Sequence, residues 1–194
     1  MAAAIVLSHH KYSDNGSVLH LYTAEQGRVQ YVVYGNKYKG VLRPLSIIDF
    51  TAKKRNNAPA QMGVISSVSL TYIPQRISTD VQRQCVALFI AEILLYTLRH
   101  PLCDSVLYEW ITNIILRLDQ ADDIRDLHLE FLIDFAIHLG IGIDEDEHPD
   151  WFIAPQTRLE RQKRLQQLTE YYQEHIEDFR HPKSLDVLME VFDY

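Results

Sequence analysis

The chain has 194 residues, of which 47% are apolar and 23% charged, values typical of a soluble globular protein with a hydrophobic core. This length allows one ordinary domain, or a small domain joined to a helical one. Two cysteines exclude a disulfide framework, and the longest apolar run, residues 85–96, is interrupted by Glu92 and is too short to span a bilayer. Residues 1–7 lack the pattern of a secretory leader, so we expect a cytoplasmic protein.

The net charge of −7 is divided unevenly along the chain. Residues 1–80 hold nine Lys and Arg against four Asp and Glu, a net charge of +5. Residues 81–194 hold ten against twenty-two, a net charge of −12. One interpretation is a basic module that binds a polyanion, joined to an acidic module with another role. The alternative is that the two halves simply attract each other.

Five short segments in the first 72 residues are predicted to be β-strands: 4–12, 18–23, 29–34, 47–52 and 62–72. The second, third and fifth alternate in polarity, whereas the first begins with the apolar run Ile5-Val6-Leu7 and then turns polar. Asn15-Gly16, between the first two, is typical of a tight hairpin turn because both residues accept a positive φ. Five strands with short links predict a small closed or nearly closed barrel. An OB-fold is the natural candidate, although the strand count alone does not separate it from an SH3-like barrel.

From Pro74 onward the apolar residues take the spacing of helices. Ser78, Thr79 and Asp80 offer N-caps for a first helix that runs to Arg99. Four more helices are predicted: a second opened by Pro101 with Val106 on its apolar face, a third from about Asp123 to Gly140, a fourth over 156–178 anchored in part by Leu159, and a fifth over 184–191. Their apolar faces predict a bundle. The fold class is therefore α+β, with a five-stranded OB-fold barrel over residues 1–77 and an all-α helical domain over 78–194.

Residues 27–55 carry a dense group of cations, opposed only by Asp49: Arg28, Lys37, Lys39, Arg43, Lys53, Lys54 and Arg55. Aromatic residues lie among them, and Tyr38 is the best stacking candidate because Gly35 and Gly40 place it in a loop. Single-stranded nucleic acid requires cations along a groove together with aromatic faces for its bases. We therefore predict a DNA-binding site made of these seven cations and Tyr38. The alternative is a solvated loop and strand end without a ligand.

Other candidate sites in the sequence are weak. The run from Asp144 to His148 lacks the alternation, central glycine and terminal glutamate of a calcium loop, and we interpret it as a solvated acidic loop. Cys85 and Cys103 are predicted to be buried free thiols. The sequence shows no phosphate-cradling glycine loop, no nucleophile elbow and no catalytic cysteine pattern. Nothing in it supports an active site.

Several short motifs, in this order and spacing, resemble the N-terminal OB domain of the RecO family of bacterial recombination mediators. They are Ile5-Val6-Leu7, Tyr12-Ser13-Asp14-Asn15, Leu21-Tyr22-Thr23 with Gly27 and Val29, Tyr34-Gly35, and Leu42-Arg43-Pro44-Leu45. The helical part is similar as well, at residues 89–94, 131–140 and 183–188. The resemblance covers most of the chain.

Two features depart from the family pattern. Many members have a basic residue before the glycine at Gly35, where this chain has Tyr34. Many also carry a four-cysteine zinc module between the third helix and the last ones. With cysteines only at positions 85 and 103, this chain cannot build that module, so we expect no metal, and the stretch over 151–156 is short for the region.

The resemblance implies a non-enzymatic role in DNA repair. Its expected functions are binding of single- and double-stranded DNA, annealing of complementary strands, and assistance in loading RecA together with RecR. The expected location is the cytoplasm, in association with the nucleoid. A further partner would be the acidic tail of single-stranded-DNA-binding protein, which needs an apolar pocket rimmed by cations. The candidate cations in the helical half are Arg99, Arg125, Arg158 and Arg161.

Two other classes of function remain as alternatives. In the first, the protein is an interaction scaffold whose barrel binds an acidic peptide rather than DNA. In the second, it is an enzyme such as a nuclease, which would need clustered carboxylates that the barrel half lacks.

Overall fold

The structure, a computed structural model, describes residues 2–11, 13–35, 37–38, 40–53, 62–99 and 103–192. Five strands come first: β1 Ala2–Lys11, β2 Gly16–Thr23, β3 Gly27–Tyr34, β4 Ile47–Lys53 and β5 Gly63–Leu70. Five α-helices follow: α1 Val81–Thr97, α2 Ser105–Gln120, α3 Leu127–His138, α4 Arg158–His175 and α5 Ser184–Val191. A short 3₁₀ helix, Pro149–Phe152, lies between α3 and α4.

The strands close into a barrel in the order β1-β2-β3-β5-β4. All neighbours are antiparallel except β3 and β5, which run parallel with Tyr31 opposite Gly63. Alternate side chains point inward, and Leu19, Leu21 and Ile48 fill the centre with no exposed surface. The predicted α+β fold, with an N-terminal OB-fold barrel before the helices, is confirmed.

The first hairpin turn differs from the prediction. Neither Asn15 nor Gly16 has a positive φ; the left-handed residue at this end of the barrel is Gly35, with φ 76°. The turn is closed by the Ser13 N–H, which donates to the Gly16 carbonyl, and the Gly35 N–H donates to the Asn15 carbonyl. The Asn-Gly pair is therefore held by the neighbouring strand end rather than by its own conformation.

Helix boundaries also differ from the predicted ones. The second helix begins at Ser105, because the Asp104 side chain accepts a hydrogen bond from the Leu107 N–H at 2.8 Å and caps it. Pro101, the predicted start, lies outside the described residues. The fourth helix is shorter than 156–178 at both ends because Thr157 caps it and the chain becomes extended at Ile176.

Three side chains predicted to be buried are exposed. Val106 on α2 and Leu159 on α4 are 67% and 75% exposed, because they lie in the first turn of their helices, outside the packed faces. Cys103 is also exposed, since it precedes the α2 cap instead of lying within a helix, whereas Cys85 is half-buried on α1. The predicted apolar face of the first helix is also only partly correct, because Val81 and Leu88 are 64% and 45% exposed whereas Phe89 and Ile93 are buried.

The barrel and the helices share one hydrophobic core. Ile5, Leu7 and Tyr22 point outward from the barrel and are buried in the same cluster as Phe89 and Ile90 of α1. The predicted boundary between residues 77 and 78 falls in the connection from β5 to α1, and as a limit between independent domains it stays a prediction.

The connection is fastened to the end of α2 by a buried carboxylate. Asp119 is 2% exposed and accepts hydrogen bonds from the Tyr72 hydroxyl at 2.6 Å and from the backbone N–H groups of residues 75, 76 and 77 at 2.8–2.9 Å. Arg83, 1% exposed, donates to the carbonyls of Leu118 and Ala121 at the same helix end. The Asp119 contacts hold α2 against the chain that leaves the barrel, and those of Arg83 hold α2 against α1. Within the described ranges, no helix has the length and apolar character needed to cross a bilayer.

Candidate nucleic-acid interface

The loop that follows β3 is attached to the outer surface of the barrel at a β-bulge on β5. Thr51 pairs with Ser67 and Ala52 with Ile65, so Ser66 is an extra residue on the β5 side. The extra residue leaves the Ser66 carbonyl available, and the Tyr38 hydroxyl donates to it at 3.2 Å. The loop that follows β3 is thereby held against the β4–β5 ribbon.

Hydroxyl groups form a cluster at the same bulge. The Thr51 Oγ1 lies 2.8 Å from the Ser66 Oγ and 2.6 Å from the Ser67 Oγ, and the Ser66 hydroxyl also lies within hydrogen-bonding distance, 3.2 Å, of the Thr51 carbonyl. Ser66 is exposed. Serine, threonine and tyrosine hydroxyls are common donors to phosphate oxygens in DNA complexes. The bulge therefore presents a row of hydroxyls that a phosphate group can reach.

Two of the predicted cations lie beside these hydroxyls. Lys53 ends β4 two residues after Thr51, so its side chain leaves on the same outward face about 7 Å along the strand. Lys37 precedes Tyr38 in the attached loop, and its Nζ lies 5.2 Å from the centroid of the Tyr38 ring. Both lysines are exposed, and neither forms an ion pair with another described residue. We name Lys37, Tyr38, Thr51, Lys53 and Ser66 the ribbon surface.

The other predicted cations lie elsewhere. Lys39, Lys54 and Arg55 are outside the described residues. Arg43 is exposed on the rim of an apolar cleft of about 430 Å³ formed with Leu45 and Leu88, where the barrel meets α1. Leu45 has an unusual φ of 61° in this cleft.

Arg28 is engaged inside the junction between barrel and helices. Its Nη1 donates to the Leu95 carbonyl at 2.9 Å and the Leu98 carbonyl at 3.4 Å, and its Nη2 lies 3.3 Å from the His20 Nδ1. A cation at the C-terminus of a helix is favourable because the last carbonyls there lack partners. Burial lowers the pKa of Arg28, and the nearby Arg99 lowers it further. Arg28 therefore caps α1 and does not belong to the ribbon surface.

The aromatic residues of the basic stretch are mostly packed in the barrel. Phe50 is 4% exposed, and its ring centroid lies 5.1 Å from that of half-buried Tyr31 in an edge-to-face contact. Tyr38 is half-buried, its hydroxyl is occupied and Lys37 lies over its ring, so it anchors the loop. Tyr34, at the end of β3, is 44% exposed; it was counted among the aromatic residues of the basic stretch, but Tyr38 was preferred to it. The outward parity of position 34 relative to buried Val33 was the signal for it.

The four cations predicted for a partner site are each engaged. Arg125 donates to both carboxylate oxygens of Asp123, and the Arg161 Nε lies 2.5 Å from Asp126 Oδ1. Both pairs lie at the start of α3 and the first turn of α4, and Arg158 begins α4. Arg99 pairs with Asp178 at 3.3 Å at the far end of α1. The structure does not bring Arg99 together with the other three.

The cysteines do not fit a zinc site of the four-cysteine kind. Cys85 is half-buried within α1, whereas the exposed Cys103 donates its thiol hydrogen to the Glu25 carbonyl. Among the residues that the structure describes, no group of three or more His, Cys, Asp and Glu side chains is arranged to hold a metal ion. That the protein lacks zinc remains a prediction.

The fold places this chain among proteins that combine a five-stranded OB-fold barrel with a helical bundle. Residues 1–73 match the family model of the Recombination protein O N-terminal domain. The chain is 27% identical to the DNA repair protein RecO of Porphyromonas gingivalis over 244 aligned positions, which cover 100% of this chain and 99% of the relative. It is 28% identical to the DNA repair protein RecO of Bacteroides fragilis and 24% identical to that of Flavobacterium johnsoniae, in both cases over 97% of each chain. The chain is therefore similar to the RecO DNA repair proteins along its whole length, and its first 73 residues match the N-terminal domain of that family.

The alignment also shows that this chain is shorter than its relatives. Since its 194 residues occupy 244 aligned positions with the Porphyromonas gingivalis protein, 50 of those positions are gaps in this chain. The resemblance predicted a shortened region around residues 151–156, and the gaps agree in direction with that prediction without fixing their position. In the structure, this stretch forms the end of the 3₁₀ helix and the approach to the α4 cap.

Proposed function

We propose that this protein acts in DNA repair as a non-enzymatic DNA-binding recombination mediator, and that the ribbon surface binds the phosphates of single-stranded DNA. It would anneal complementary strands and assist RecA loading with RecR, in the cytoplasm and in association with the nucleoid. Annealing needs charge neutralisation and strand juxtaposition but no chemical step. Lysines and hydroxyl groups are the side chains that commonly contact phosphates in such binding.

One observation carries the proposal. The hydrogen bond from the Tyr38 hydroxyl to the Ser66 carbonyl holds the loop that carries Lys37 against the β4–β5 ribbon, where the hydroxyl cluster lies and β4 ends at Lys53. The two lysines form no ion pair with described residues of the acidic half, which argues against mere attraction between the halves as the reason for the basic stretch. The described ion pairs that cross from one half to the other, Arg76–Asp122 and Arg83–Asp80, lie in the connection.

The predicted partner site remains part of the proposal. The acidic tail of single-stranded-DNA-binding protein would use Arg99, Arg125, Arg158 or Arg161, together with apolar side chains of the helical half. Arg125 and Arg161 are occupied by Asp123 and Asp126.

A second candidate function is supported by the apolar cleft beside Arg43. In this alternative the barrel side of the junction binds an acidic peptide, with an apolar side chain against Leu45 and Leu88 and a carboxylate on Arg43. The combination of apolar lining and one cation on the rim suits such a peptide better than it suits a nucleic-acid strand. The protein would then be an interaction scaffold.

The test is fluorescence anisotropy with a labelled oligothymidylate of about thirty nucleotides, measured across a range of salt concentrations. The double variant K37E/K53E should bind at least about 10-fold more weakly, with a salt slope reduced in magnitude by about 1.4, because two phosphate contacts are lost at about 0.7 each. K163E is a matched control with a single charge reversal on an exposed residue of α4.

Two results would reject this site. Binding by K37E/K53E that equals binding by K163E would mean that the ribbon surface does not hold the strand. Binding that is lost only in R43E, with an acidic peptide as a competitor of equal strength, would favour the scaffold function.

A further inference from the structure

A cleft of about 610 Å³ lies where the start of β3, the end of α1 and the turn after α4 meet. Its walls hold three arginines from these three elements, Arg28, Arg99 and Arg180, against one acidic residue, Asp178. Three positive charges against one stand out in a protein whose net charge is −7. Such a concentration of like charge costs free energy unless an anion is present to offset it.

Arg28 supplies a fixed charge that is not paired with a carboxylate. Its hydrogen bonds go to two backbone carbonyls and to His20, not to a carboxylate. The His20 ring adds no charge near neutral pH, because burial together with the charges of Arg28 and His10 lowers its pKa to about 4. The Arg28 guanidinium is therefore held in place by neutral groups and remains available to attract an anion.

Arg99 and Arg180 complete the cationic wall. Arg99 pairs with Asp178 at 3.3 Å and also donates to the Asp178 carbonyl, but the Asp178 side chain is 82% exposed, so the pair is well screened by water. Asp178 has a φ of 53°, and the turn that it forms leads directly to Phe179 and Arg180. Arg180 is exposed, and among the described residues it has no hydrogen-bond or ion-pair partner.

Aromatic rings stand beside these cations. Tyr96 and Phe179 both line the cleft and are partly exposed, and their centroids lie 6.2 Å apart in an edge-to-face arrangement. Burial and the Glu92 carboxylate raise the pKa of Tyr96 to about 12, so its hydroxyl stays neutral. Guanidinium groups next to aromatic faces are the combination that single-stranded nucleic acid uses.

We propose that this arginine cleft is a second phosphate-binding surface for a DNA strand, separate from the ribbon surface. The inference rests on the proposed function and adds a site to it. The cleft opens at His20 and Arg28 of β2 and β3, and OB-fold barrels commonly hold oligonucleotides on the face of these two strands. Exposed Gln30, opposite His20 in the same register, continues that face away from the helices.

Continuity with the β2–β3 face favours a nucleic-acid strand over a short acidic peptide. The ribbon surface lies on a different strand pair, β4 and β5. One chain can therefore hold two DNA segments at once, which is the arrangement that annealing requires.

The experiment compares R180E, R99A and the control K163E with the full-length protein, using anisotropy of a labelled oligothymidylate and annealing of two complementary oligonucleotides. Arg180 is chosen because its replacement breaks no hydrogen bond or ion pair with a described residue. Replacement of Arg28 would remove the cap of α1 and disturb the fold. R180E should weaken binding about 5- to 10-fold and reduce the salt slope in magnitude by about 0.7, since one charged phosphate contact disappears. R99A should act in the same direction, annealing should slow in both, and K163E should change neither quantity.

Each outcome decides the question. If R180E and R99A behave as K163E does while K37E/K53E is impaired, the arginine cleft is rejected and the proposed function stands. If the full-length protein does not bind DNA at all, the proposed function fails and the cleft proposal fails with it. If R180E abolishes binding of an aspartate-rich peptide ending in phenylalanine but leaves DNA binding unchanged, the cleft is a peptide site and our inference is overturned.

Discussion

Replacement of Asp119 by asparagine should destabilise the protein strongly although it preserves the shape of the side chain. One carboxylate oxygen accepts from the Tyr72 hydroxyl and the Gln75 N–H, and the other accepts from the Arg76 and Ile77 N–H groups. An asparagine must turn its NH₂ group toward one of these two pairs of donors. At least one buried backbone N–H then loses its acceptor, and the remaining hydrogen bonds lose the help of the negative charge.

The size of the effect follows from the cost of such losses. A hydrogen bond to a charged group contributes about 1.5–3 kcal/mol, and a buried donor without a partner costs about 1–3 kcal/mol. We therefore expect D119N to lower the free energy of unfolding by about 2–4 kcal/mol at pH 7. Y72F removes one of the four bonds and should cost about 1–2 kcal/mol. D122N is the matched control: Asp122 is fully exposed, and its pair with Arg76 should matter by less than about 1 kcal/mol.

The pH dependence gives a second readout. Burial by itself raises the pKa of Asp119, but the hydrogen bonds from Tyr72 and the three N–H groups outweigh it, so the pKa lies below its ordinary value. A carboxyl with a lowered folded-state pKa stabilises the protein above its unfolded pKa of about 3.9, and that contribution is lost as the pH falls further. The difference between wild type and D119N in urea unfolding, followed by circular dichroism, should therefore shrink below about pH 4. Equal stability of D119N and D122N at pH 7 would refute the reasoning.

Three further predictions concern salt, pH and metal. Single-strand affinity of the wild type should fall with a log–log salt slope of roughly −3 to −4, as expected for about four to six neutralised phosphates, and an affinity independent of salt would contradict phosphate binding. Burial and the charge of Arg161 lower the pKa of His128 to about 3. The unfolded chain therefore binds a proton that the folded one does not, and stability should decrease as the pH falls from about 6.5 toward 3, by up to about 1.4 kcal/mol per pH unit. H128L should make the free energy of unfolding, measured by urea titration, depend less steeply on pH. An unchanged dependence would contradict the role given to His128. Finally, a strong chelator should leave the melting curve unchanged and elemental analysis should find no stoichiometric zinc, because Cys85 and Cys103 do not form a ligand set.

The barrel was predictable because its signals are local. Alternation along each strand, as at Val29, Tyr31 and Val33, reports which side chains face the core, and this pattern needs no knowledge of the rest of the chain. Helix caps at Asp80 and Asp104 are equally local, although the second was overlooked in favour of Pro101. The burial of residues at helix ends, such as Leu159, was predicted wrongly because apolar spacing does not show which turn of a helix extends beyond its packed face.

The site was harder to predict because its contacts join distant residues. The bulge at Ser66 depends on the register between β4 and β5, and it gives the Tyr38 hydroxyl an acceptor, the Ser66 carbonyl, that no pattern in the sequence indicates. Arg28 was predicted to bind DNA from its place in a basic stretch, and that pattern did not indicate its hydrogen bonds to carbonyls about seventy positions away. The arginine cleft draws on positions 28, 99 and 180, which no spacing rule connects.

The two proposed surfaces can be separated experimentally because they are built from different elements of the fold. The ribbon surface is built within the barrel by β4, β5 and the loop that Tyr38 attaches, so it does not depend on the position of the helices. The arginine cleft needs α1 and the turn after α4 to be held against β3, and Asp119 fastens α2 of that bundle to the chain leaving the barrel. Loosening this connection with D119N should therefore reduce the contribution to DNA affinity that R180E removes, and should leave the contribution of Lys37 and Lys53 intact. In a double-variant comparison, R180E should weaken binding less in the D119N background than in wild type, whereas K37E/K53E should weaken it equally in both. Equal effects of R180E in the two backgrounds would mean that the cleft keeps its shape without the Asp119 contacts.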